Sequence, residues 1–102
     1  MKRDKEVVLA AVARNAYALK YVSEELKVDK KVVLAAVTED GHALKYASEE
    51  LKGDREVVLT AVVDNEYVLK YASTELRSEK EGLLAEAEVV RSLGPLGPKV
   101  AR

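Results

Sequence analysis

Several residue types that support catalysis or covalent cross-linking are scarce in this chain. Its 102 residues include no cysteine, tryptophan or phenylalanine, and one histidine, His42. Without cysteine there is no disulfide, no thiolate metal site and no cysteine nucleophile. One histidine also argues against a histidine metal site or proton relay. The core must therefore be built from leucine, valine and alanine, with five tyrosines as the aromatic residues.

An excess of charge of one sign is also missing. Lys and Arg number 17 against 18 Asp and Glu, which gives a formal net charge of −1. This balance provides no long-range attraction to nucleic acid or to an acidic membrane surface. The apolar run 7–13 is too short to cross a bilayer, and it returns as 32–37 and 57–62. We therefore interpret it as part of a repeat and not as a signal peptide, and expect no membrane partner.

A unit of 25 residues occurs three times, over residues 4–28, 29–53 and 54–78. Two blocks of residues return unchanged in each unit, and the variable residues 13–17 separate them. In the first unit the blocks are Asp4, Val7, Val8, Leu9, Ala11, Val12 and then Leu19, Lys20, Tyr21, Ser23, Glu25, Leu26. Each unit therefore has two constant elements joined by one variable corner.

The first block predicts a helix that begins at its aspartate. The carboxylates of Asp4, Asp29 and Asp54 can accept hydrogen bonds from the free N–H groups of a first helical turn. The apolar residues that follow are neither alternating nor striped, which indicates an element buried between neighbours. A buried strand could show the same run. The alanines, the aspartate caps and the helix-forming second block favour the helix.

The second block predicts an amphipathic helix, because residues 18, 19, 22 and 26 share one helical face. Asn15, Asp40 and Asn65 stand at the corners, where they either cap this helix or end the first helix in a left-handed turn. The serines that recur from Ser23 are expected to cap a short separate turn, so each unit should contain a long helix, a short helix and a tight turn. The tyrosines that recur from Tyr21 are interpreted as core residues whose hydroxyls reach the surface.

Burial then predicts the architecture. One unit cannot cover its own apolar helix, but stacked neighbours can. We predict an all-α fold, a short α-solenoid of 25-residue helix-turn-helix repeats, with three full repeats and a capping helix over residues 79–93. In that helix Glu86 and Glu88 replace apolar residues, while Leu83, Leu84, Ala87 and Val90 should point inward. Gly94 and Pro95 should end it before a flexible tail over residues 94–102.

No matching cap precedes the first helix. Its exposed apolar face predicts either further repeats before Met1 in a longer array or a homodimer through the first repeat.

The two blocks resemble the repeat family known as domain of unknown function 4116. The resemblance rests on residues 29–37 (Asp-Lys-Lys-Val-Val-Leu-Ala-Ala-Val) and 43–52 (Ala-Leu-Lys-Tyr-Ala-Ser-Glu-Glu-Leu-Lys), and it extends over about residues 4–78. It implies short tandem helical repeats with no established activity. Members of that family usually carry Asn-Gly at the corner, which only Asp40-Gly41 approaches here.

Catalytic chemistry is poorly represented. Adjacent acids such as Glu24 and Glu25 point in different directions on a helix and are interpreted as surface charge. Ser23 and its equivalents recur in every unit whereas His42 occurs once, so the serines serve the repeat and not a catalytic triad. There is no glycine-rich phosphate loop and no metal-binding motif. We expect no enzyme activity, no cofactor and no metal.

The variable corners provide the candidate binding edge. Stacking should align two columns along one edge. One column consists of Tyr17, His42 and Tyr67, and the other of Arg14, Glu39 and Asp64. A constant framework with a variable edge is typical of repeat proteins that bind a protein or peptide, although unconstrained drift at the corners would also explain the variation. The alternative is single-stranded nucleic acid stacked on these rings beside Lys20, Lys45 and Lys70. The equally regular Glu25, Glu50 and Glu75 argue against it.

Overall fold

The fold was obtained as a computed structural model, which describes residues 2–93, with side chains from Lys5 onward. Helices and short turns account for all of this segment, which contains no strand, and the predicted all-α class is confirmed. The α-helices are α1 (Lys2–Arg14), α2 (Glu24–Lys27), α3 (Lys30–Glu39), α4 (Glu49–Lys52), α5 (Arg55–Asp64), α6 (Thr74–Arg77) and α7 (Lys80–Leu93). Three 3-10 helices lie at Ala16–Tyr21, Gly41–Tyr46 and Glu66–Tyr71.

The same order of elements, a long helix, a 3-10 helix and a four-residue helix, occurs three times before α7. The prediction that residues 18, 19, 22 and 26 share one helical face is therefore wrong, whereas a long helix, a short helix and a single turn follow one another in each unit. The chain is extended at Val22, with ψ of 164°, and at Ser23, which is the N-cap of α2. Because Ser23 Oγ accepts from the Leu26 N–H at 3.3 Å, the serine caps a separate turn as predicted.

Aspartate caps hold the second and third long helices. Asp29 accepts from the N–H groups of Lys31 and Val32 at 3.0 and 3.4 Å, and Asp54 accepts from that of Val57 at 3.2 Å. The same prediction fails for Asp4, because α1 begins at Lys2 and continues through it. In the later units a short helix turns the chain just before the aspartate, and no such turn lies before Asp4 within the described residues.

The corners resolve the two alternatives for their polar residues. Asn15, Asp40 and Asn65 have φ of −148°, −155° and −157°, and each caps the 3-10 helix that follows. Their side chains accept from the N–H two residues ahead at 2.9–3.0 Å. No residue between 2 and 93 has a positive φ, so the left-handed alternative is wrong.

The long helices and the 3-10 helices form two layers. α1 packs on α3, α3 on α5 and α5 on α7, while each of the first two 3-10 helices contacts the long helix of the next unit and the next 3-10 helix. The molecule measures 38 × 37 × 17 Å. Its core lies between the layers and is formed by fully buried side chains such as Val33, Leu44, Val58 and Leu83.

One type of ion pair ties each long helix to the start of the next. Lys5 pairs with Asp29 at 2.8 Å, Lys30 with Asp54 at 3.1 Å, and Arg55 with Glu79 at 2.6 Å. The hydrogen bond from Lys5 holds the pKa of Asp29 below its ordinary value. Burial raises the pKa of Asp54, but its bonds to Lys30 and to backbone N–H groups outweigh this effect and leave the pKa lowered.

The last helix, α7, combines exposed glutamates with a buried apolar face. Glu86 and Glu88 are exposed and Leu83 and Ala87 are buried, as predicted. The inward prediction for Val90 is wrong, because it is 38% exposed beside the exposed Val89 and Leu93. Residues 94–102, including the predicted tail, lie outside the described residues. No helix within residues 2–93 has both the length and the apolar character needed to span a membrane.

Candidate binding surface

Three of the candidate edge residues occupy the same place in the layer of 3-10 helices. Tyr17, His42 and Tyr67 are each the second residue of their 3-10 helix. The cap at the preceding corner fixes the backbone N–H of each, so the three side chains leave the fold from equivalent positions. Tyr67 is 82% exposed and Tyr17 54%, whereas His42 is half-buried.

The corner side chains make different contacts. The ring of Tyr17 meets the ring of Tyr46 in the next unit edge to face, with centroids 6.3 Å apart and planes at 68°. His42 Nδ1 lies 3.2 Å from Oδ1 of its own cap, Asp40. Because Tyr17 is engaged in an aromatic contact between units, it contributes to packing as well as to the surface.

The charged candidates end the long helices. Arg14, Glu39 and Asp64 are the last residues of α1, α3 and α5. Asp64 has a structural partner, because its Oδ2 accepts a hydrogen bond from the N–H of Gly41 at 2.8 Å, which joins the third unit to the second. Glu39 and Asp64 line two neighbouring shallow grooves along the long helices, and Tyr67 lines a third groove elsewhere. The six candidates therefore do not converge on one pocket.

A ladder of lysines and tyrosines runs along the 3-10 layer. Each lysine Nζ lies 5.3–5.6 Å from the ring centroid of the tyrosine that follows it, in the pairs Lys20/Tyr21, Lys45/Tyr46 and Lys70/Tyr71. Lys45 Nζ is also 6.0 Å from the ring of Tyr71, which links two units. Contacts of this kind contribute about 0.5–1 kcal/mol at exposed sites.

These tyrosines are less buried than the sequence indicated. Tyr21 is 80% exposed, so its interpretation as a core residue is wrong, while Tyr46 and Tyr71 are half-buried. The difference follows from stacking, because Tyr46 contacts Tyr17 of the unit before it and the ring of Tyr71 lies 6.0 Å from Lys45 Nζ of the unit before it. Within the described residues no unit precedes Tyr21.

A groove of about 480 Å³ lies at the far end of the 3-10 layer, between the third 3-10 helix, α6 and α7. We call it the C-terminal groove; its lining residues are Glu66, Tyr67, Leu69, Lys70, Arg77, Lys80 and Leu84. Only Tyr67 among them belongs to the predicted edge. Three cations and three apolar or aromatic side chains in one concave site suit a ligand that is both acidic and apolar.

The sequence carried a signal for this groove. The short helices read Glu-Glu-Leu-Lys in the first two units and Thr-Glu-Leu-Arg in the third, so Thr74 stands where Glu24 and Glu49 stand. Those glutamates pair with Lys27 and Lys52 at 3.5 Å. The replacement removes one carboxylate next to Arg77, which is visible in the sequence once the units are aligned.

Grouped metal ligands and buried polar side chains were not found in the part of the chain that the structure describes. No cluster of three histidine, aspartate or glutamate side chains there could hold a metal ion, and its core contains apolar residues only.

The chain matches no curated protein and no solved structure. A family model does match residues 4–52. This segment contains both constant blocks of the first unit and of the second, the residues on which the predicted resemblance was based. The matching model is described as Domain of unknown function (DUF4116), so the predicted resemblance is confirmed over residues 4–52.

Proposed function

We propose that this chain is a non-enzymatic protein-interaction module, a short α-solenoid of 25-residue helical repeats that binds a protein or peptide on its 3-10 layer. The proposal has an architectural part and a binding part, and different contacts support each.

The architectural part is supported by contacts that recur between successive units. The pairs Lys5–Asp29 and Lys30–Asp54 join equivalent residues 24 positions apart. A backbone bond recurs as well: the Ser48 N–H donates to the carbonyl of Lys27 at 3.3 Å, and that of Ser73 to the carbonyl of Lys52 at 2.9 Å. Equivalent nearest-neighbour interfaces are what a stacked array requires.

The binding part is carried by one observation, the exposure of tyrosine rings on the 3-10 layer. Tyr17, Tyr21 and Tyr67 are 54%, 80% and 82% exposed. Tyrosine is enriched in protein interfaces because its ring buries a large apolar area while its hydroxyl stays hydrogen-bonded. The 3-10 helices fix the backbone of these tyrosines, so little backbone freedom is lost on binding.

A peptide display library tests this proposal. Peptides selected on the chain should bind by fluorescence anisotropy, and Tyr21→Ala or Tyr67→Ala should weaken at least some of them by about tenfold, the loss typical of an interface anchor. Val89→Ala is the matched control, because Val89 is a 55% exposed apolar side chain on α7, outside the 3-10 layer. Selected peptides that are sensitive to Val89→Ala and insensitive to both tyrosine variants would refute the proposal.

The second candidate, single-stranded nucleic acid, is favoured by the lysine–tyrosine ladder. Rings for base stacking and ammonium groups for phosphates alternate along the layer. The net charge of −1 and the exposed Glu25, Glu50 and Glu75 argue against it. Titration of a labelled single-stranded oligonucleotide at low salt decides the matter. Micromolar binding that weakens steeply with added salt would favour nucleic-acid binding over peptide binding as the function of this chain.

A further inference from the structure

We infer that the C-terminal groove binds an acidic peptide segment through one large apolar side chain of that segment and the carboxylates on either side of it. This inference rests on the proposed peptide-binding function and adds to it the location of the site and the chemistry of the ligand.

The apolar part of the groove is formed by two leucines and a tyrosine. Leu69 belongs to the third 3-10 helix and is 6% exposed, and Leu84 on α7 is half-buried. Tyr67 presents an 82% exposed ring beside them. A volume of about 480 Å³ lies within the range of sites that enclose small ligands, and it has room for a large side chain.

Two cations of the groove, Arg77 and Lys80, lack the ion pairs that their counterparts in the other units form. Lys5, Lys30 and Arg55 each pair with the acidic residue that starts the next unit. Lys80 occupies the equivalent position in α7. No carboxylate of residues 5–93 forms an ion pair with Lys80, whereas its three counterparts are all paired.

Arg77 has lost its partner through a substitution. Lys27 and Lys52, its counterparts, pair with the glutamate three residues earlier at 3.5 Å. At Arg77 that residue is Thr74, and Arg77 Nη2 donates to the neutral Thr74 Oγ1 at 3.3 Å. Lys70 makes its contact with the ring of Tyr71. None of the three cations in the groove is therefore neutralised by a described carboxylate.

The one carboxylate that lines the groove is already engaged. Glu66 Oε2 pairs with Arg91 Nη2 at 3.1 Å, and Arg91 Nε also donates to the carbonyl of Val63 at 3.0 Å. Because Glu66 is paired with Arg91 of α7, the side chains of Lys70, Arg77 and Lys80 remain available to attract the carboxylates of a ligand.

The extent of the positive surface favours a peptide over nucleic acid. Several cations elsewhere in the fold, such as Lys27, Lys30 and Lys52, are paired with carboxylates. Lys20 and Lys45, like Lys70, contact a tyrosine ring and form no ion pair among the described residues. The groove differs from the rest of this layer because Arg77 and Lys80 join Lys70 there beside a leucine floor, and that apolar floor suits a peptide side chain better than a phosphate strand. An apolar side chain flanked by two or three carboxylates fits these dimensions.

The probe is a labelled peptide with one central phenylalanine, flanked by two glutamates on one side and one glutamate on the other. We expect saturable binding to the full chain by anisotropy at low salt. Lys70→Glu, Arg77→Glu and Lys80→Glu should each weaken it by about fivefold or more, and the triple variant by about a hundredfold. Lys20→Glu, the equivalent of Lys70 in the first unit, is the matched control and should change affinity less than twofold. Replacing the flanking glutamates by lysines should abolish binding.

Several outcomes would overturn the inference: no saturable binding of the acidic peptide, equal binding by the triple variant, an equal effect of Lys20→Glu, or an oligonucleotide that competes at lower concentration than the peptide. Circular dichroism of each variant separates lost binding from lost folding. If the library yields peptides that depend on Tyr21 but are not acidic, the groove assignment fails while the proposed function stands. If no selected peptide depends on the 3-10 layer, the proposed function fails.

Discussion

The close contact between Gly41 and α5 gives the sharpest test of the packing. A Cβ atom at Gly41 would lie 2.5 Å from the carbonyl oxygen of Ala61 and 3.3 Å from Asp64 Oδ2. The obstacle is backbone, so the second 3-10 helix must move away from α5. That movement also stretches the 2.8 Å bond from the Gly41 N–H to Asp64. Overpacking and the loss of a bond to a charged group together predict that Gly41→Ala destabilises by about 2–4 kcal/mol.

The other two described glycines provide matched controls. At Gly53 a Cβ would have its nearest contacts at 3.5 Å, and at Gly82, inside α7, it would meet nothing within 4 Å. Alanine should therefore stabilise both positions by about 0.4–1 kcal/mol, because it restricts the unfolded chain and favours helix. Urea unfolding followed by circular dichroism at 25 °C measures all three variants with the same probe.

A double-mutant cycle identifies the cause. If Gly41→Ala acts partly by displacing the N–H from Asp64, it should cost less in an Asp64→Ala background than in the wild type, by about 1 kcal/mol. Equal stabilities of Gly41→Ala and Gly53→Ala would refute the close approach itself. Full additivity with Asp64→Ala would leave the steric contact and remove the hydrogen bond from the explanation.

Three further predictions concern the core, the ion pairs and the first helix. Leu44→Ala should lower the free energy of unfolding by about 2–5 kcal/mol, whereas His42→Ala should change it by about 0.5 kcal/mol or less; a larger effect of His42→Ala in urea unfolding would contradict the assigned burial. Because the pKa of Asp54 is lowered in the folded state, its carboxylate stabilises the fold above the ordinary aspartate pKa of about 3.9. This contribution disappears as the pH falls through the lower folded value. Asp54→Asn keeps a capping oxygen but does not titrate, so the free energy of unfolding should fall less steeply with acid in this variant than in the wild type. Val7 is 63% exposed on α1, and we expect this face to self-associate. Val7→Glu should then shift the protein toward monomer in sedimentation at high concentration. A wild-type protein that is monomeric under the same conditions would refute the self-association.

The apolar framework could be predicted from the sequence because burial repeats with the unit. Val32 and Ala36 return as Val57 and Ala61, and all four are fully buried. Caps were predictable for the same reason: a short polar side chain before an apolar run can accept from a free N–H wherever the chain turns. Asp4 is the exception, because within the described residues no turn precedes it, and α1 begins at Lys2 instead.

The 3-10 helices could not be predicted from periodicity. Residues 18, 19, 22 and 26 satisfy the pattern of one helical face, yet the chain is extended at Val22 and Ser23. Six-residue 3-10 helices are uncommon, because their hydrogen-bond geometry is poorer than that of an α-helix. Here Leu19, which is fully buried in the core, and the caps at both ends of each segment compensate for that cost. The burial of Leu19 depends on contacts with other elements, which leave no periodic signal in the sequence.

The variation at the corners has a physical cause in at least two units, which changes how the candidate edge is understood. The residue after the corner cap is Gly41 in the second unit, where the backbone meets α5, and Glu66 in the third, where the side chain reaches Arg91 on α7. Each suits the helix it faces, so this part of the corner varies with its neighbour and not with a ligand. The next residue, Tyr67, faces no such constraint at 82% exposure, and it lines the groove. Selection for binding should therefore act on Tyr67 and on the cations beside it, while Gly41, Asp64 and Glu66 serve the packing.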